Sequence, residues 1–279
     1  MSFTSPAATG VFLLRVRVAG CGRGWNDYGW RAAAGRLVRQ ASVNMQTSNN
    51  QRKIWEFHQN ENVEAFSGAG PRLQGLARAT FRLARRQKIL KPAILNIGVG
   101  NGHFEEFILR GGGNPYSIDP DVRPLVRLAE KGVKCYAASI EHLPIAEKAL
   151  DFVVVSEVLE HLDDAERRNG LAEIRRILKP GGYILGTVPY RENLQQNITI
   201  CPHCGEVFHR WGHKKGFDLG DIKQELRPHF KIERVTRTAF VSFPRNSTAA
   251  LVSVVRFVLA KLGKAIAVPS IYFVARRDS

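Results

Sequence analysis

The fold is indicated by one stretch of the sequence, Ala93-Ile94-Leu95-Asn96-Ile97-Gly98-Val99-Gly100-Asn101-Gly102-His103-Phe104. Its apolar start predicts a short buried strand, its glycines predict a tight turn, and the residues from Phe104 onward predict a helix. A strand that leads through a glycine-rich turn into a helix is typical of nucleotide sites. The backbone there approaches the ligand closely, and the first N–H groups of the helix are free to bind it.

The spacing of the glycines narrows the class of ligand. A dinucleotide fingerprint, G-x-G-x-x-G, would need glycine at position 103, which is occupied by His103. The third glycine is Gly102, so the pattern is G-x-G-x-G. This pattern resembles motif I of class I S-adenosylmethionine-dependent methyltransferases.

Composition limits the class of protein. The chain has 279 residues, 44% of them hydrophobic, which is enough for one large core with a small appendage. It contains no apolar run of 18 residues, so a membrane-spanning helix is not expected. Four cysteines, two of them in a C-x-x-C, favour a metal site in a reducing compartment, here the cytoplasm, over a disulfide framework. The net charge of +16 fits nucleic acid, anionic lipid or an acidic substrate and by itself selects none of them.

The chain divides into three parts. Residues 1–44 are basic and poor in acids, and we expect a disordered extension or a mis-called start with Met45 as the first residue; a weak similarity to an organelle transit peptide is the alternative. Residues 45–90 predict a helical cap, with a basic face that we interpret as solvated. Residues 91–279 alternate strands and helices, which predicts an α/β fold: a Rossmann-like, seven-stranded, mostly parallel sheet with helices on both faces. The expected strands lie near 93–97, 115–119, 133–137, 151–155, 182–188, 230–238 and 270–276, and the expected helices near 103–110, 122–131, 160–178, 218–226 and 247–263.

A second block of motifs strengthens the resemblance. It includes Ile140-Glu141-His142-Leu143-Pro144, the segment Phe152–Leu162 with its Val-Leu-Glu-His, and Leu178-Lys179-Pro180-Gly181-Gly182. Together these resemble the small-molecule class I methyltransferases, a group that includes the ubiquinone-pathway O-methyltransferases, over about residues 90–190. The resemblance implies that S-adenosylmethionine is bound by Asn96, Gly98, Gly100, Gly102, Asp119, Pro120, Ser139, Ile140 and Glu157.

Two residues depart from the family pattern. Asn96 replaces the usual acid of motif I, and Ser139 replaces an acid that often reads the adenine amino group. Asp119, by contrast, is an acid, and it lies at the distance after the first strand at which a carboxylate meets ribose hydroxyls. The departures leave a non-catalytic cofactor-binding protein as an alternative.

The spacing Glu157-x-x-Glu160-His161 would gather three side chains on one side of a helical turn. It resembles the metal-binding element of small-RNA 2′-O-methyltransferases, in which a later histidine completes a Mg²⁺ site for the acceptor hydroxyls; His213 falls where that histidine would be. Glu160 and His161 are therefore the candidate catalytic residues. The simpler interpretation, which we favour from sequence, is that Val-Leu-Glu-His begins a helix, with Glu160 and His161 capping it or shaping the pocket. A separation of His213 from Glu160 and His161 far beyond about 8 Å would exclude the shared metal.

A Cys/His insert, residues 196–216, offers a second metal site. Its pattern, C-x2-C-x4-H-x3-H, has the ligand types and number of a structural zinc site, with Cys201, Cys204, His209 and His213 as ligands. If His213 serves the catalytic metal instead, Cys201, Cys204 and His209 remain for zinc, with His203 as a further candidate. A redox pair or two unligated thiols is the alternative.

The sequence thus predicts an S-adenosylmethionine-dependent methyltransferase that acts on oxygen of a small molecule, lipid or sugar precursor. An RNA-directed 2′-O-methyltransferase is the alternative, although nucleic acid is not the favoured partner. No Asn/Asp-Pro-Pro-Tyr/Phe motif follows the fourth expected strand, which argues against DNA-type amino methylation. The apolar segment 249–262 would permit peripheral membrane contact but more often packs in a core. The oligomeric state is not predicted.

Overall fold

The computed structural model describes residues 39–40, 49–62, 68–240, 255 and 269–278. The expectations for the N-terminal extension and, apart from Val255, for the helix near 247–263 lie outside the described residues. Among the residues described, no helix is both long enough and apolar enough to cross a membrane.

The strands and helices are numbered in chain order. The strands are β1 (Arg39–Gln40), β2 (Ala93–Ile97), β3 (Asn114–Asp119), β4 (Lys134–Ala137), β5 (Leu150–Ser156), β6 (Leu178–Pro189), β7 (Ile198–Ile200), β8 (Val207–His209), β9 (Lys231–Thr238) and β10 (Ser270–Arg276). The helices are α1 (Asn49–Asn60), α2 (Gly70–Arg86), α3 (His103–Arg110), α4 (Val122–Glu130), α5 (Asp164–Ile177) and α6 (Leu219–Leu226), with short 3₁₀ turns at Leu159–His161 and Leu194–Asn197.

The main sheet has the order β1-β4-β3-β2-β5-β6-β10-β9. All pairs from β1 to β6 are parallel, and β10 is antiparallel to both of its neighbours. This confirms the predicted Rossmann-like architecture, to which the two-residue β1 adds an eighth strand. The chain proceeds from β2 to one side through β3 and β4, and then to the other side through β5 and β6. The carboxyl ends of β2 and β5 therefore form the switch point at which ligands bind in such sheets.

Apolar residues cover both faces of the sheet, as a parallel sheet requires. Alternate residues of β5 face opposite layers: Val153 and Val155 pack with the layer that contains α5 and α6, whereas Phe152 and Val154 pack with the layer of α2 and α3. All four side chains are fully buried. The strand β5, whose end forms part of the switch point, is thus buried on both faces of the sheet.

The segment after β5 differs from the sequence expectation. One helix was expected over 160–178, but Leu159–His161 forms a separate 3₁₀ turn and α5 begins at Asp164. The break follows from a capping box: the Asp163 carboxylate accepts the Ala165 and Glu166 N–H groups, and the Glu166 side chain accepts the Asp163 N–H. The break places Glu160 and His161 in a turn at the carboxyl end of β5.

Candidate active site

The glycine turn after β2 has the geometry that the sequence predicted. Gly98, Gly100 and Gly102 have φ values of 78°, 53° and 79°, a left-handed region that favours glycine. A Cβ atom added to Gly98 would lie 2.7 Å from Val158 Cγ2, and one added to Gly102 would lie 2.8 Å from Leu128 Cδ2. Both glycines are therefore required by the backbone and by their neighbours.

Beneath this turn lies an acid that sequence reasoning missed. Glu105, in the first turn of α3, is fully buried and accepts hydrogen bonds from Asn96 Nδ2 (2.8 Å) and Ser117 Oγ (2.7 Å). Burial raises the pKa of Glu105, and the bonds from Asn96 and Ser117 act against that rise. Asn96 Oδ1 is buried without a hydrogen-bond partner among the described residues, and Asn96 lines the cavity described below. Asn96 thus lies between the buried carboxyl group of Glu105 and the cavity that would hold the cofactor.

Asp119 lies at the end of β3, beside the glycine turn. Its Oδ2 accepts the Val99 N–H and the Gln59 side-chain amide, both at 3.0 Å, and its Oδ1 accepts the Asp121 N–H at 2.8 Å. Burial raises the pKa of Asp119 to about 6 despite these three donors. A carboxylate has about four acceptor positions, so capacity remains for a ribose hydroxyl.

One cavity of about 760 Å³ is lined by most of the predicted cofactor residues and by His161 and His213, while the buried Glu160 is not part of its wall. Its wall includes the aromatic rings of Trp55 and Trp211, as well as His161, Glu192 and His213. Of the nine predicted cofactor residues, eight line it and Gly102 does not: Asn96, Gly98, Gly100, Asp119, Pro120, Ser139, Ile140 and Glu157. Left-handed glycines, an acid at the end of β3 and the orphaned amide oxygen of Asn96 fit a nucleoside cofactor.

Glu157 occupies a special position at the end of β5. Its φ is 56°, which a non-glycine residue adopts at an energetic cost of order 1–3 kcal/mol. Its N–H donates to Thr187 O at 2.9 Å, and its carboxylate lies 3.8 Å from Arg72 Nη1. Such strain is concentrated at functional sites, and here it directs Glu157 into the wall of the cavity.

The predicted Glu-His element meets His213. One ligand atom from each of Glu160, His161 and His213 lies within 4.8 Å of the others, and the rings of His161 and His213 have centroids 4.6 Å apart. The contact arises because the Glu160 carbonyl accepts the Lys214 and Lys215 N–H groups, at 2.7 and 3.2 Å, which brings their loop onto the 3₁₀ turn. The shared metal is therefore not excluded by distance, and the simpler interpretation, in which Glu160 and His161 only cap a turn or shape the pocket, stays a prediction.

The electrostatics of this cluster suit a cation. Glu160 is fully buried, and neither of its carboxylate oxygens has a hydrogen-bond partner among the described residues. Burial, followed by the charge of Glu157, raises the pKa of Glu160 well above its ordinary value. Burial, followed by His213, lowers the pKa of His161 to about 3, so its imidazole stays neutral and keeps a lone pair. A bound cation would offset the cost of burying the Glu160 charge, and the neutral imidazole of His161 could coordinate it.

The predicted zinc ligands are not brought together. Cys201 and Cys204 lie in the loop of the β7–β8 hairpin, and no described group of three metal-ligating side chains contains a cysteine. His209 and His213 instead gather with Glu192. The Cys201 thiol has its pKa lowered by backbone N–H groups of Cys204 and His203, and Cys204 is exposed. The sequence spacing has the ligand types of a zinc site, but no described group of metal-ligating side chains combines these thiols with the imidazoles.

Comparison with known proteins agrees with this geometry. Residues 95–186 match the family described as methyltransferase domain. A tRNA (carboxymethyluridine(34)-5-O)-methyltransferase of Arabidopsis thaliana is 35% identical over 52% of this chain and 36% of its own length. A malonyl-[acyl-carrier protein] O-methyltransferase of Hamiltonella defensa is 32% identical over 38% of this chain and 41% of its own length. The chain thus matches less than half the length of these curated relatives.

A solved structure extends the likeness to most of the chain. It is the 1,6-didemethyltoxoflavin-N1-methyltransferase of Burkholderia thailandensis with bound 1,6-didemethyltoxoflavin and S-adenosylhomocysteine. Its TM-score is 0.56 at 15% identity, over 89% of this chain and 98% of that chain. At this identity the likeness concerns the fold alone. Residues 95–186 thus match a methyltransferase domain, and the fold is shared with a methyltransferase whose structure holds S-adenosylhomocysteine.

Proposed function

We propose that the chain transfers the methyl group of S-adenosylmethionine to a hydroxyl oxygen of a small acceptor, which binds beside Glu160, His161 and His213. The observation that supports this is the shared cavity. The glycine turn and Asp119 line one part of it, and His161 and His213 line another part of the same space. A donor held by the first group and an acceptor held by the second would meet within a single enclosure, as an in-line displacement requires.

The residues of the chain have defined tasks in this reaction. When bound, S-adenosylmethionine supplies a methyl group on a sulfonium, whose C–S bond breaks as the C–O bond forms, leaving a neutral thioether. The acceptor hydroxyl must lose its proton in the same process. His161 is a poor proton acceptor because its pKa is lowered to about 3. Without a bound cation, His213 or Glu160 would receive this proton, directly or through water.

Glu157, Glu160, His161 and His213 form the proposed site for a divalent cation. Two carboxylates and two imidazoles suit Mn²⁺ and related ions, and Mg²⁺ is the ion that the sequence resemblance implies. A bound cation lowers the pKa of a coordinated hydroxyl group, which assists its deprotonation. The orphaned oxygens of buried Glu160 fit this role.

The cavity wall indicates the class of acceptor. Trp55 and Trp211 present aromatic rings, and Asn193, Gln196 and Asn197 present amides. Flat rings with nearby amide donors and acceptors suit a polyhydroxylated ring compound, and vicinal hydroxyls of such a compound chelate a cation. We therefore propose a sugar-type precursor as the acceptor. The 3′-terminal ribose of an RNA carries the same diol, and the similarity to a tRNA methyltransferase favours RNA as the second candidate.

A labelled methyl donor tests the proposal. The protein is incubated with S-adenosylmethionine, Mn²⁺ and a panel of sugar derivatives and RNA with a free 3′ diol, and products are read by mass. We expect methyl ether formation that EDTA and Glu160→Gln each reduce at least tenfold. Substitution of exposed His142 by Ala is the matched control and should leave turnover unchanged. Turnover that is insensitive to both EDTA and Glu160→Gln would exclude the metal role, and methylated RNA alone would select the second candidate.

Cofactor binding is tested separately from turnover. Gly98→Ala and Gly112→Ala place Ala at the same φ of 78°, but only at Gly98 does the added Cβ meet a neighbour within 4 Å. We expect calorimetry to show loss of S-adenosylmethionine binding in the first variant and normal binding in the second. Binding without any turnover over the whole panel would favour the non-catalytic alternative.

A further inference from the structure

Glu192, which follows β6, binds His213, the third member of the predicted catalytic cluster. One carboxylate oxygen, Oε2, accepts the hydrogen bond of His213 Nδ1. The other, Oε1, accepts the side-chain amide of Asn197 at 2.9 Å. The Glu192 side chain is largely buried. Neither sequence motif included this residue.

His209 is the second neighbour, and its hydrogen bonds define its tautomer. Its Nδ1 accepts two backbone N–H groups, from Trp211 at 3.3 Å and from His213 at 3.1 Å. A nitrogen that accepts hydrogen bonds carries no proton, so the proton of the neutral ring is on Nε2. That buried Nε2 has no hydrogen-bond partner within normal distance among the described residues, and it lies 3.5 Å from Glu192 Oε1. His209 thus presents an N–H group toward the carboxylate.

The tautomer of His213 also follows from its hydrogen-bond partner. A carboxylate without a proton only accepts hydrogen bonds, so His213 Nδ1 must be the donor, and in the neutral form of the ring the lone pair is on Nε2. The ring of His213 meets that of His161 edge to face, with centroids 4.6 Å apart, and stacks on His209 at 4.8 Å. Metal-ligating and proton-accepting histidines are commonly oriented by such a carboxylate on their other nitrogen.

We propose that Glu192, supported by Asn197 and His209, is the positioning residue that sets the tautomer and orientation of His213. This inference rests on the proposed role of His213 in the acceptor site, and it gives the Cys/His insert a task. Asn197 and His209 belong to the 3₁₀ turn and the β7–β8 hairpin of that insert, whose strands pair Ile198 with His209. The insert therefore holds a catalytic histidine in place rather than a zinc ion.

A second metal centre at Glu192, His209 and His213 is the competing interpretation, because one ligand atom from each lies within 4.8 Å of the others. Coordination through His209 Nε2 would require removal of its proton while Nδ1 still accepts two N–H groups. A neutral imidazole has only one lone pair in the ring plane, and in His209 it is already in use.

Long-range ¹H–¹⁵N spectra of histidine-labelled protein test the tautomers directly, with His213→Asn used to assign the signal. The full chain is measured at a pH where the imidazoles are neutral. We expect His213 as the Nδ1–H tautomer and His209 as the Nε2–H tautomer. In Glu192→Met, which removes the acceptor at similar size, the preference of His213 for Nδ1–H should be lost. Glu192→Gln, which keeps an acceptor oxygen, should largely restore it.

Mn²⁺ binding measured on the same variants supplies the second readout. We expect Glu192→Met to weaken Mn²⁺ affinity about 10- to 100-fold, the range for loss of a residue that orients a ligand. Glu192→Gln should weaken it less, and binding of S-adenosylmethionine should not change in either variant. A merely structural role would instead reduce thermal stability and cofactor binding together.

The outcomes separate this inference from the proposed function. An Nε2–H tautomer of His213 in the unmodified protein, or one that Glu192→Met leaves unchanged, overturns the positioning role even if Mn²⁺ binds. Absence of Mn²⁺ binding with the expected tautomers overturns the metal but supports Glu192. Loss of Mn²⁺ in His209→Asn and Glu192→Gln, but not in Glu160→Gln, would establish the second metal centre and overturn the inference.

Discussion

The side-chain amide of Asn96 donates a 2.8 Å hydrogen bond to the carboxylate of Glu105, and both side chains are buried beneath the glycine turn. Asn96 stands where the family resemblance implies an acid. A carboxyl group is therefore still present in this part of the molecule, because Glu105 supplies one from the first turn of α3. This pair accounts for an asparagine that the sequence leaves unexplained.

Asn96→Asp should destabilise the protein. It replaces a donor by a second buried acid next to Glu105, and we expect the free energy of unfolding to fall by about 2–3 kcal/mol. The double variant Asn96→Asp, Glu105→Gln restores a donor–acceptor pair in reverse order and should recover most of that loss. Denaturant titration measures both; equal stability of Asn96→Asp and the unmodified protein would contradict the pairing.

Binding of S-adenosylmethionine should depend on the ionisation of Asp119. Burial raises the pKa of Asp119 to about 6, and ribose hydroxyls donate to its ionised form. Affinity should therefore increase with pH up to about 6 and level off above it, with a slope of at most about tenfold per pH unit below that value. Calorimetry between pH 5 and pH 8 measures this profile. Asp119→Asn has no carboxyl group to titrate there and should give weaker, flat binding.

Glu160→Gln should make the metal-free protein more stable. Burial and the charge of Glu157 raise the pKa of Glu160, so ionisation of this residue opposes folding. For an acid whose pKa is higher in the folded state, the loss of stability develops as pH rises above the pKa of the unfolded chain. The gain from Glu160→Gln should therefore increase between pH 5 and pH 8 and reach about 1–3 kcal/mol.

Binding of the cation can be measured on the unmodified protein and on Glu160→Gln. Added Mn²⁺ should raise the Tm of the unmodified protein, because a ligand that binds only the folded state stabilises it, and should leave Glu160→Gln unchanged. A Mn²⁺-dependent shift of equal size in both proteins would show that Glu160 does not bind the ion.

His209→Ala and Cys201→Ser should differ sharply in stability. His209 is buried and accepts two backbone N–H groups, so its removal leaves two unsatisfied donors and lowers the free energy of unfolding by about 2–3 kcal/mol. Cys201 belongs to no described group of three metal-ligating side chains, and its replacement should change stability by less than about 0.5 kcal/mol. Metal analysis accompanies the measurement. One equivalent of zinc that is lost in Cys201→Ser would restore the zinc interpretation.

Local patterns were sufficient for the fold. The strands of the main sheet from Ala93 onward, the left-handed glycines and the position of Asp119 follow from spacing and hydrophobic periodicity, which act within a few residues, whereas the β7–β8 hairpin was not expected. The helix α5 begins later than expected because the capping box formed by Asp163 and Glu166 outweighed the continuous helical pattern before it. The pattern 45–90 predicted helices, but only the structure shows that Trp55 and Gln59 of α1 reach the cavity.

The class of fold, the glycine turn and the types of ligand side chain depend on neighbours along the chain, so the pattern of residues is sufficient to predict them. Which acids and histidines meet depends on contacts between segments that are distant in the sequence. Glu105 reaches Asn96 from α3, and His213 reaches His161 because two N–H groups of its loop bind the Glu160 carbonyl. The thiols of Cys201 and Cys204 stay in their hairpin, while Glu192 takes the imidazoles of His209 and His213 as its partners. The spacing of residues predicts which ligand side chains are present. Hydrogen bonds between segments distant in the sequence determine which of these side chains meet in one site.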